Sequence, residues 1–383
     1  MKAAPKLLYV VTEDWYFCSH RLALAAAARE AGFAAAVATR VRAHGKQIED
    51  RGVRLVPFEM TRRGANPATE LATLARLVRL YRRERPDIVH HVALKPVVYG
   101  SLAARLAGVP VVVNAVAGTG WLFNATGGAR RALRPLLRRL LGALLARTQV
   151  IVQNPDDAQV MAGIDLGHVH LVRGAGVDTD VFAPRPEAPG PVVILLASRL
   201  LWTKGVGDFA TAARLLRERG VDARCVLVGE PDPDNPDFVP EAQLRAWEAA
   251  GDLQWRGRRD DMPDVLAGAH VVCLPSFYGE GVPKALIEAA ACGRPIVTTD
   301  MPGCREIVRD GENGLLVPPR DPARLADALA RLAGDADLRR RLGARGRERA
   351  VAEFGERQVI AATLDIYRRA LAGRTGDGGT ARG

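Results

Sequence analysis

The fold is decided by residues 269–300, which read AHVVCLPSFYGEGVPKALIEAAACGRPIVTTD. The apolar, β-branched runs at 269–276 and 294–300 predict two strands, and the segment 282–292 between them predicts a helix. A strand, a helix and a second strand in this order form one βαβ unit of a parallel sheet. Strands that are apolar along nearly their whole length are typical of a sheet covered by helices on both faces.

The same alternation extends through the rest of the chain. In the first half we predict strands at 6–11, 34–39, 54–59, 87–93, 109–116 and 148–154, and helices at 20–31, 68–84, 96–107 and 130–147. In the second half we predict further strands at 191–198, 223–230 and 253–257, and further helices at 204–219, 239–250 and 322–333. The chain is therefore predicted to be an α/β protein with two doubly wound, Rossmann-like sheets in tandem.

The proline-rich stretch APRPEAPGP (183–191) interrupts the alternation and predicts an interdomain linker. We expect an N-terminal domain at 1–185, a C-terminal domain at 191–355 and a helix at 356–372 that returns to the N-terminal domain. The glycine-rich end, 373–383, is expected to be disordered. Ligands of open parallel sheets bind beyond the carboxyl ends of the strands, so two such edges facing each other would form one cleft.

The net charge of +11 is confined to the first half of the chain. Residues 1–190 contain 26 Lys and Arg against 15 Asp and Glu, whereas residues 191–383 contain 28 of each. One basic half indicates that this half meets a polyanion, and nucleic acid and anionic lipid are the two candidates.

Several features favour a cytoplasmic enzyme. The chain has no apolar run long enough to span a bilayer and begins without a signal peptide. Its five cysteines are scattered without a CxxC pair, which is typical of reduced thiols and excludes a disulfide framework or a zinc site of that spacing.

Two elements of the second half carry candidate chemistry. Arg199 and Lys204 bracket a strand-to-helix loop, SRLLWTKG, where two cations and a helix N-terminus can hold a diphosphate. Glu280 and Glu288 form an E-x7-E element across the start of the helix predicted at 282–292. Because the neighbours of Glu288 are apolar almost all round, we expect it to be buried with a polar partner, and the two carboxylates to hold the sugar and the ribose of one nucleotide-sugar.

The Arg-x4-Lys-Gly loop and the E-x7-E element resemble those of retaining glycosyltransferases of family 4, which have the GT-B fold. The resemblance implies that Arg199 and Lys204 hold the donor diphosphate, that Glu280 contacts the donor sugar and that Glu288 binds the ribose. It places Gly281, Val282 and Pro283 beside the phosphate and sugar, and Gly257 and Arg258 near the base. It also implies retention of anomeric configuration, with neither metal nor cofactor.

The segment 95–123 is similar to enzymes of bacterial surface-polysaccharide clusters that extend polyprenyl-diphosphate-linked sugars, the hexosaminyltransferases among them. This resemblance implies a UDP-sugar donor, a lipid-linked acceptor and a peripheral location on the inner face of the plasma membrane. The Asp178-Thr-Asp180 sequence is similar to a turn of the same family, and we assign no metal to it.

Candidate acceptor residues lie in the first half, where the resemblance is looser. They are His20, Lys95, Gly118, Gly120 and His91, and His90 is a further candidate. A histidine at a strand end is more often packed in the core than catalytic. The acidic loop at 230–237 is expected to be a solvated turn.

The segment 129–147 concentrates charge on one predicted helix. Its leucines recur at helical spacing and predict packing against the sheet. Its arginines would face outward toward an anionic membrane; the ones we assign to that role are Arg130, Arg131, Arg134, Arg138 and Arg139.

Two alternatives belong to other classes. A UDP-N-acetylhexosamine epimerase also uses two facing Rossmann-like domains, but it has no need of a basic first half. A nucleic-acid-binding protein would use that half, but would be expected to interleave aromatic residues with its arginines, and the 129–147 segment has none.

Overall fold

The computed structural model describes residues 3–60, 66–116, 118, 128–164, 166 and 168–377; for 128–134, 137 and 374–377 it describes the backbone only. Helices begin where the sequence supplies caps: the Asn66 and Asn154 side chains each accept a backbone N–H of the first turn that follows, and proline occupies the next position.

The elements up to residue 171 are β1 (Lys6–Glu13), α1 (Asp14–His20), α2 (Leu22–Glu30), β2 (Ala34–Arg40), α3 (Gly45–Asp50), β3 (Arg54–Pro57), α4 (Pro67–Glu84), β4 (Ile88–Val92), α5 (Leu94–Ala107), β5 (Val111–Val116), α6 (Gly128–Leu145), β6 (Gln149–Val152), α7 (Pro155–Ala162) and β7 (Val169–Leu171). The strands form one parallel sheet of order β3-β2-β1-β4-β5-β6-β7.

The remaining elements are β8 (Val192–Ala197), a 3₁₀ turn (Trp202–Lys204), α8 (Val206–Glu218), β9 (Ala223–Val228), α9 (Glu241–Ala249), β10 (Gln254–Trp255), α10 (Met262–Ala267), β11 (Val271–Leu274), α11 (Lys284–Ala291), β12 (Ile296–Thr299), α12 (Pro302–Ile307), β13 (Gly314–Val317), α13 (Pro322–Gly334), α14 (Ala336–Glu353) and α15 (Glu356–Asp377). A second parallel sheet has the order β10-β9-β8-β11-β12-β13. The prediction of two doubly wound α/β sheets is confirmed.

Three-dimensional contacts divide the chain into an N-terminal unit, residues 1–175 with 357–383, and a C-terminal unit, residues 176–356. The boundary therefore lies upstream of the one predicted at 185. Val177 exchanges backbone hydrogen bonds with Phe354 and Glu356, which ties the segment before the predicted linker into the C-terminal unit.

The proline-rich stretch 183–191 belongs to the C-terminal unit and is not a free linker. Arg339, which is buried, forms a two-pronged ion pair with Glu187 at 2.9 and 3.0 Å. Arg294 donates to the carbonyl of Arg185, and His270 binds the carbonyl of Ala188. These contacts fix a segment whose composition alone indicates a flexible connection.

The last helix returns to the N-terminal unit. Tyr367 of α15 is fully buried, and its hydroxyl lies 2.5 Å from His90 Nδ1 and 3.2 Å from the hydroxyl of Tyr9. The helix continues to Asp377, beyond the start of the end expected to be disordered at 373, and 378–383 lie outside the described residues. Within the described ranges, no helix combines the length and the apolarity needed to cross a bilayer.

Candidate active site

The centre of the C-terminal unit is an ion pair between Lys204 and Glu280. The Lys204 ammonium contacts Glu280 Oε2, while the Ser276 hydroxyl donates to Glu280 Oε1 at 2.5 Å. Lys204 and Glu280 are each 16% exposed, so the pair is shielded but still reachable. Charge-assisted bonds of this kind hold both side chains in defined positions.

The strand order brings these residues together. Lys204 follows β8 and Glu280 follows β11, and β8 and β11 are paired neighbours in the sheet. Between them the order of the strands reverses, because β9 and β10 lie on one side and β12 and β13 on the other. The crevice beyond the carboxyl ends of the strands at such a reversal is where open α/β sheets bind ligands.

Glycine allows the two loops to approach closely. Gly205 follows Lys204 with φ 75°, and a Cβ atom there would lie 2.1 Å from the carbonyl oxygen of Pro275. Gly303 opens α12 against the Glu280 loop, where a Cβ would lie 1.5 Å from the carbonyl oxygen of Gly281. Neither position accepts a larger residue without displacing the backbone that carries Ser276 or Glu280.

The acidic loop at 230–237 forms a turn with exposed residues, as expected, and it also holds the Lys204 turn. Asp237 Oδ2 accepts the N–H of Thr203 at 2.8 Å, and the Asp237 carbonyl accepts the N–H of Trp202 at 2.8 Å. Asp232 Oδ2 lies 3.2 Å from Arg199 Nη1. The position of these acids in the sequence could have indicated the contact, because they follow β9, which is the immediate neighbour of β8 in the sheet.

Arg199 stands apart from the central ion pair. Its side chain is 42% exposed and pairs with Asp232, so Lys204 and Arg199 each contact a different carboxylate. Gly257 and Arg258 follow β10 at the same edge of the sheet: Gly257 accepts the N–H of Gly229 at 2.8 Å, and Arg258 lies 3.4 Å from Glu230. Both arginines stay accessible to a ligand at this edge.

The helix that carries Glu288 begins at Lys284, two residues later than predicted. Gly281, Val282 and Pro283, which precede the helix, are buried. Glu288 is 12% exposed and lies 3.4 Å from Lys284 Nζ. Burial raises the pKa of the Glu288 carboxyl, and the Lys284 charge offsets part of that increase. The predicted polar partner of Glu288 is therefore Lys284.

The corresponding reversal in the N-terminal unit lies between β1 and β4. Asp14, directly after β1, is fully buried. Burial alone would raise the pKa of its carboxyl. Hydrogen bonds from the backbone N–H groups of His44, Arg42 and Trp15 hold that pKa below its ordinary value. Lys95, after β4, pairs with Glu70 at 2.8 Å and lies 5.6 Å from the centre of the Tyr99 ring.

The structure assigns His91 to the core and not to an acceptor site. It is fully buried, with Nε2 2.9 Å from the Tyr81 hydroxyl and Nδ1 2.8 Å from Asn114 Oδ1. Burial lowers its pKa to about 4, so the ring is neutral. His90 is likewise buried against Tyr9 and Tyr367, and burial lowers its pKa well below the usual range.

The other candidates of the N-terminal unit are placed as follows. His20, at the end of α1, stacks on Tyr16 with ring centres 4.1 Å apart. Gly118 is buried with φ 85°, and Gly120 lies outside the described residues. The side chains of Arg130, Arg131 and Arg134 also lie outside them, whereas Arg139 is exposed and Arg138 half-buried.

The Asp178-Thr-Asp180 sequence forms a turn, in which Asp178 Oδ1 accepts the N–H groups of Asp180 and Val181 at 2.9 and 3.2 Å. Across the part of the chain that the structure describes, no three His, Cys, Asp or Glu side chains are grouped in a way that could hold a metal ion.

Two family models match the chain, one in each unit. The model described as "Glycosyl transferase 4-like" matches residues 6–154, and the model described as "Glycosyl transferases group 1" matches residues 191–335. The chain is 30% identical to alpha-maltose-1-phosphate synthase of Mycolicibacterium smegmatis, over 82% of this chain and 86% of that protein.

A second relative is N,N'-diacetylbacillosaminyl-diphospho-undecaprenol alpha-1,3-N-acetylgalactosaminyltransferase of Campylobacter jejuni. It is 27% identical over 85% of this chain and 88% of its own length. A third, UDP-Gal:alpha-D-GlcNAc-diphosphoundecaprenol alpha-1,3-galactosyltransferase of Escherichia coli, is 28% identical over 70% of this chain and 71% of its own.

Among solved structures, the chain is similar to Anabaena HepE in complex with UDP, with a TM-score of 0.75 and 19% identity over 95% of this chain and 100% of that one. It is also similar to sucrose-phosphate synthase of Thermosynechococcus elongatus, with a TM-score of 0.77 and 21% identity over 96% and 100% of the two chains. The two matched models, the relatives and the shared fold identify the chain as a member of the group 1 and family 4-like glycosyltransferases, an enzyme with the GT-B fold.

Proposed function

We propose that the enzyme transfers a sugar from a UDP-sugar to a polyprenyl-diphosphate-linked saccharide, with retention, during assembly of a surface polysaccharide or glycan. The donated sugar is an N-acetylhexosamine or a hexose. The observation that carries the proposal is the Lys204–Glu280 pair at the strand-order reversal of the C-terminal sheet. Relatives whose names specify undecaprenyl-diphosphate acceptors support the class of acceptor.

The chemistry needs a cation where the leaving group develops negative charge. An acceptor hydroxyl forms the new bond to the anomeric carbon, the bond from that carbon to the diphosphate breaks, and UDP and the hydroxyl proton are released. In this proposal Lys204 and Arg199 neutralise the departing diphosphate, which stabilises the transition state more than the bound donor. Glu280 would then exchange its contact with Lys204 for the hydroxyls of the sugar.

Within this proposal, side chains and the N-terminus of α11 supply the charge that a divalent metal supplies in other transferases, so no metal is needed. Glu288 binds the ribose, Gly257 and Arg258 lie near the base, and Lys95, with Gly118 and His20, belongs to the acceptor side. The enzyme works at the anionic inner face of the plasma membrane, where a lipid-linked acceptor resides.

The test is to incubate the protein with UDP-linked hexoses and N-acetylhexosamines, with and without a short polyprenyl-diphosphate-linked saccharide. We expect UDP release that depends on the acceptor, a product with the anomeric configuration of the donor, and full activity in excess EDTA. Conversion of the donor to its epimer without an acceptor would instead establish an epimerase, and a strict requirement for Mg²⁺ or Mn²⁺ would overturn the charge assignment.

A further inference from the structure

The helices of the N-terminal unit cover its sheet in two layers. One layer, which we call the outer layer, consists of α4, α5, α6 and α7, whose apolar residues pack on Leu8, Val10 and Val152. The other, the opposite layer, consists of α1, α2, α3 and α15, whose apolar residues pack on Leu7 and Tyr9. In both layers one side of each helix is buried against the sheet. The layers therefore differ in the residues on the solvent-exposed side of their helices.

The two layers differ sharply in charge. The helices of the outer layer contain eleven Lys and Arg residues against four Asp and Glu, whereas those of the opposite layer contain six against seven. The outer layer alone thus carries a positive excess of seven charges. Among its described residues, Arg79 of α4, Arg105 of α5 and Arg139 of α6 are exposed, one on each of three neighbouring helices.

The layers also differ in exposed apolar residues. Five leucines of the outer layer are between 38% and 67% exposed: Leu71, Leu102, Leu106, Leu136 and Leu140. Within the described residues, no helix of the opposite layer has a large apolar side chain as exposed as these five leucines. Single exposed leucines are ordinary, but five on the outside of one layer and none on the other indicate a surface that is covered when the protein works.

The arrangement on α6 corrects the expectation that its leucine stripe packs against the sheet. Leu141 and Leu145 are buried against Val97 and Val150, but Leu136 and Leu140 point away and are more than half exposed. A helix whose outer side carries leucines beside arginines has the residue pattern of a helix lying in a membrane interface.

We infer that the outer layer docks on an anionic lipid bilayer, with its exposed leucines entering the headgroup region and its arginines contacting lipid phosphates. The inference rests on the proposed function only in the reason that it gives for docking, which is access to a lipid-linked acceptor. A bilayer fits this surface better than nucleic acid, because its exposed large apolar side chains are all leucines. Single-stranded nucleic acid would require aromatic rings for stacking.

The charge requirement is tested by sedimentation with vesicles of phosphatidylglycerol and phosphatidylcholine. In the outer-layer variant, Arg79, Arg105 and Arg139 are replaced by Gln; in the matched control of equal charge, Arg29, Arg368 and Arg369 of the opposite layer are replaced by Gln. Since each arginine near an anionic surface contributes about fivefold, the outer-layer variant should bind about 10²-fold more weakly. The control should stay within about threefold of the parent. Equal losses in both variants would overturn the inference.

The leucine requirement is tested by the double variant Leu136→Gln and Leu140→Gln, whose charge is unchanged. We expect about tenfold weaker vesicle binding, because less apolar area is buried in the interface. Binding equal to that of the parent, or binding to duplex DNA as tight as to the vesicles, would overturn the inference. Circular dichroism confirms that each variant is folded.

Failure of docking and failure of the proposed function give different results. All these variants should retain parental activity on a short-chain, water-soluble acceptor, because none changes a residue at the strand-order reversals. If the parent binds anionic vesicles but transfers no sugar to any acceptor, docking stands and the proposed function is wrong. If it transfers sugar but does not bind the vesicles, the inference is wrong and the proposed function stands.

Discussion

The two units have the same strand order around the reversal of their sheets, to which the N-terminal unit adds β7, but they use this place differently. In the C-terminal unit the strand-order reversal holds Lys204 and Glu280, two side chains 76 residues apart that meet each other. In the N-terminal unit the reversal holds Asp14, whose carboxylate is bound by backbone N–H groups, and Lys95, which pairs with Glu70 of α4. Equal topology therefore does not imply equal chemistry, because the side chains after each strand decide the task.

The largest effect is expected from removing the cations of the C-terminal unit. Lys204→Ala and Arg199→Ala should each lower kcat/KM by about 10²-fold or more, as for loss of one preorganised charge at a leaving group. The matched control is Arg219→Ala, directly after α8, because Arg219 is 41% exposed and pairs with Asp327 at 2.8 Å, much as Arg199 pairs with Asp232. Steady-state kinetics of UDP release measure all three.

Parental activity in Lys204→Ala would remove the assignment of this edge as the donor site. A loss in Arg219→Ala as large as in Arg199→Ala would show that surface arginines act on the enzyme in general and not through the diphosphate.

A second variant tests whether Asp237 positions the Lys204 turn. Asp237→Ala removes the acceptor of the Thr203 N–H and should lower kcat/KM about tenfold, since a hydrogen bond to a charged group contributes about 1.5–3 kcal/mol. Asp237→Asn retains a side-chain oxygen and should restore activity to within about threefold. If Asn is as impaired as Ala, then Asp237 acts by its charge and not by holding the turn.

The third prediction concerns the N-terminal unit, whose two central histidines are structural. The folded-state pKa of His91 is about 4 against about 6.5 in an unfolded chain, so between these values only the unfolded state takes up the proton. The free energy of unfolding should therefore be constant above pH 6.5 and fall below it, by about 1.4 kcal/mol per pH unit for this histidine. His90, whose pKa is also lowered, adds to the slope.

Urea titrations between pH 7.5 and 5.5, in which proteolytic cleavage within β4 and α5 reports unfolding, measure this free energy of unfolding. His91→Gln should reduce the slope, and the kcat of the parent should not follow the same curve. A stability that is independent of pH across this range would contradict the assignment of both histidines to the core.

Much of the fold could be predicted because strands buried on both faces are apolar along their whole length, as at 191–198 and 269–276. The domain boundary could not, because Glu187 and Val177 are fixed by Arg339 and Phe354, residues far along the chain. Proline content indicates flexibility only when no such distant contact exists. The helix predicted at 20–31 corresponds to α2, and α1 before it was not predicted. The backbone at Arg21 leaves the helical region and separates α1 from α2.

The residues of the candidate site also fall into two groups, those that a sequence pattern indicates and those that it does not. Lys204, Glu280 and Glu288 stand in short sequence patterns, and the structure brings the first two into contact. Asp237 and Ser276 stand in no pattern, since each acts by hydrogen bonding to a group brought near by the strand order. His90 and His91 within β4 mislead, because a buried neutral histidine and a catalytic one look alike in sequence.

The most direct test of the central claim, that the C-terminal unit binds the donor at its β8–β11 reversal, is hydrogen exchange of the full chain with and without UDP. We expect slower exchange of the backbone amides at 199–206 and 276–290, in EDTA as well as in Mg²⁺, with no change in β1 and α1 of the N-terminal unit. Slower exchange confined to the N-terminal unit, or none at 199–206, would contradict it.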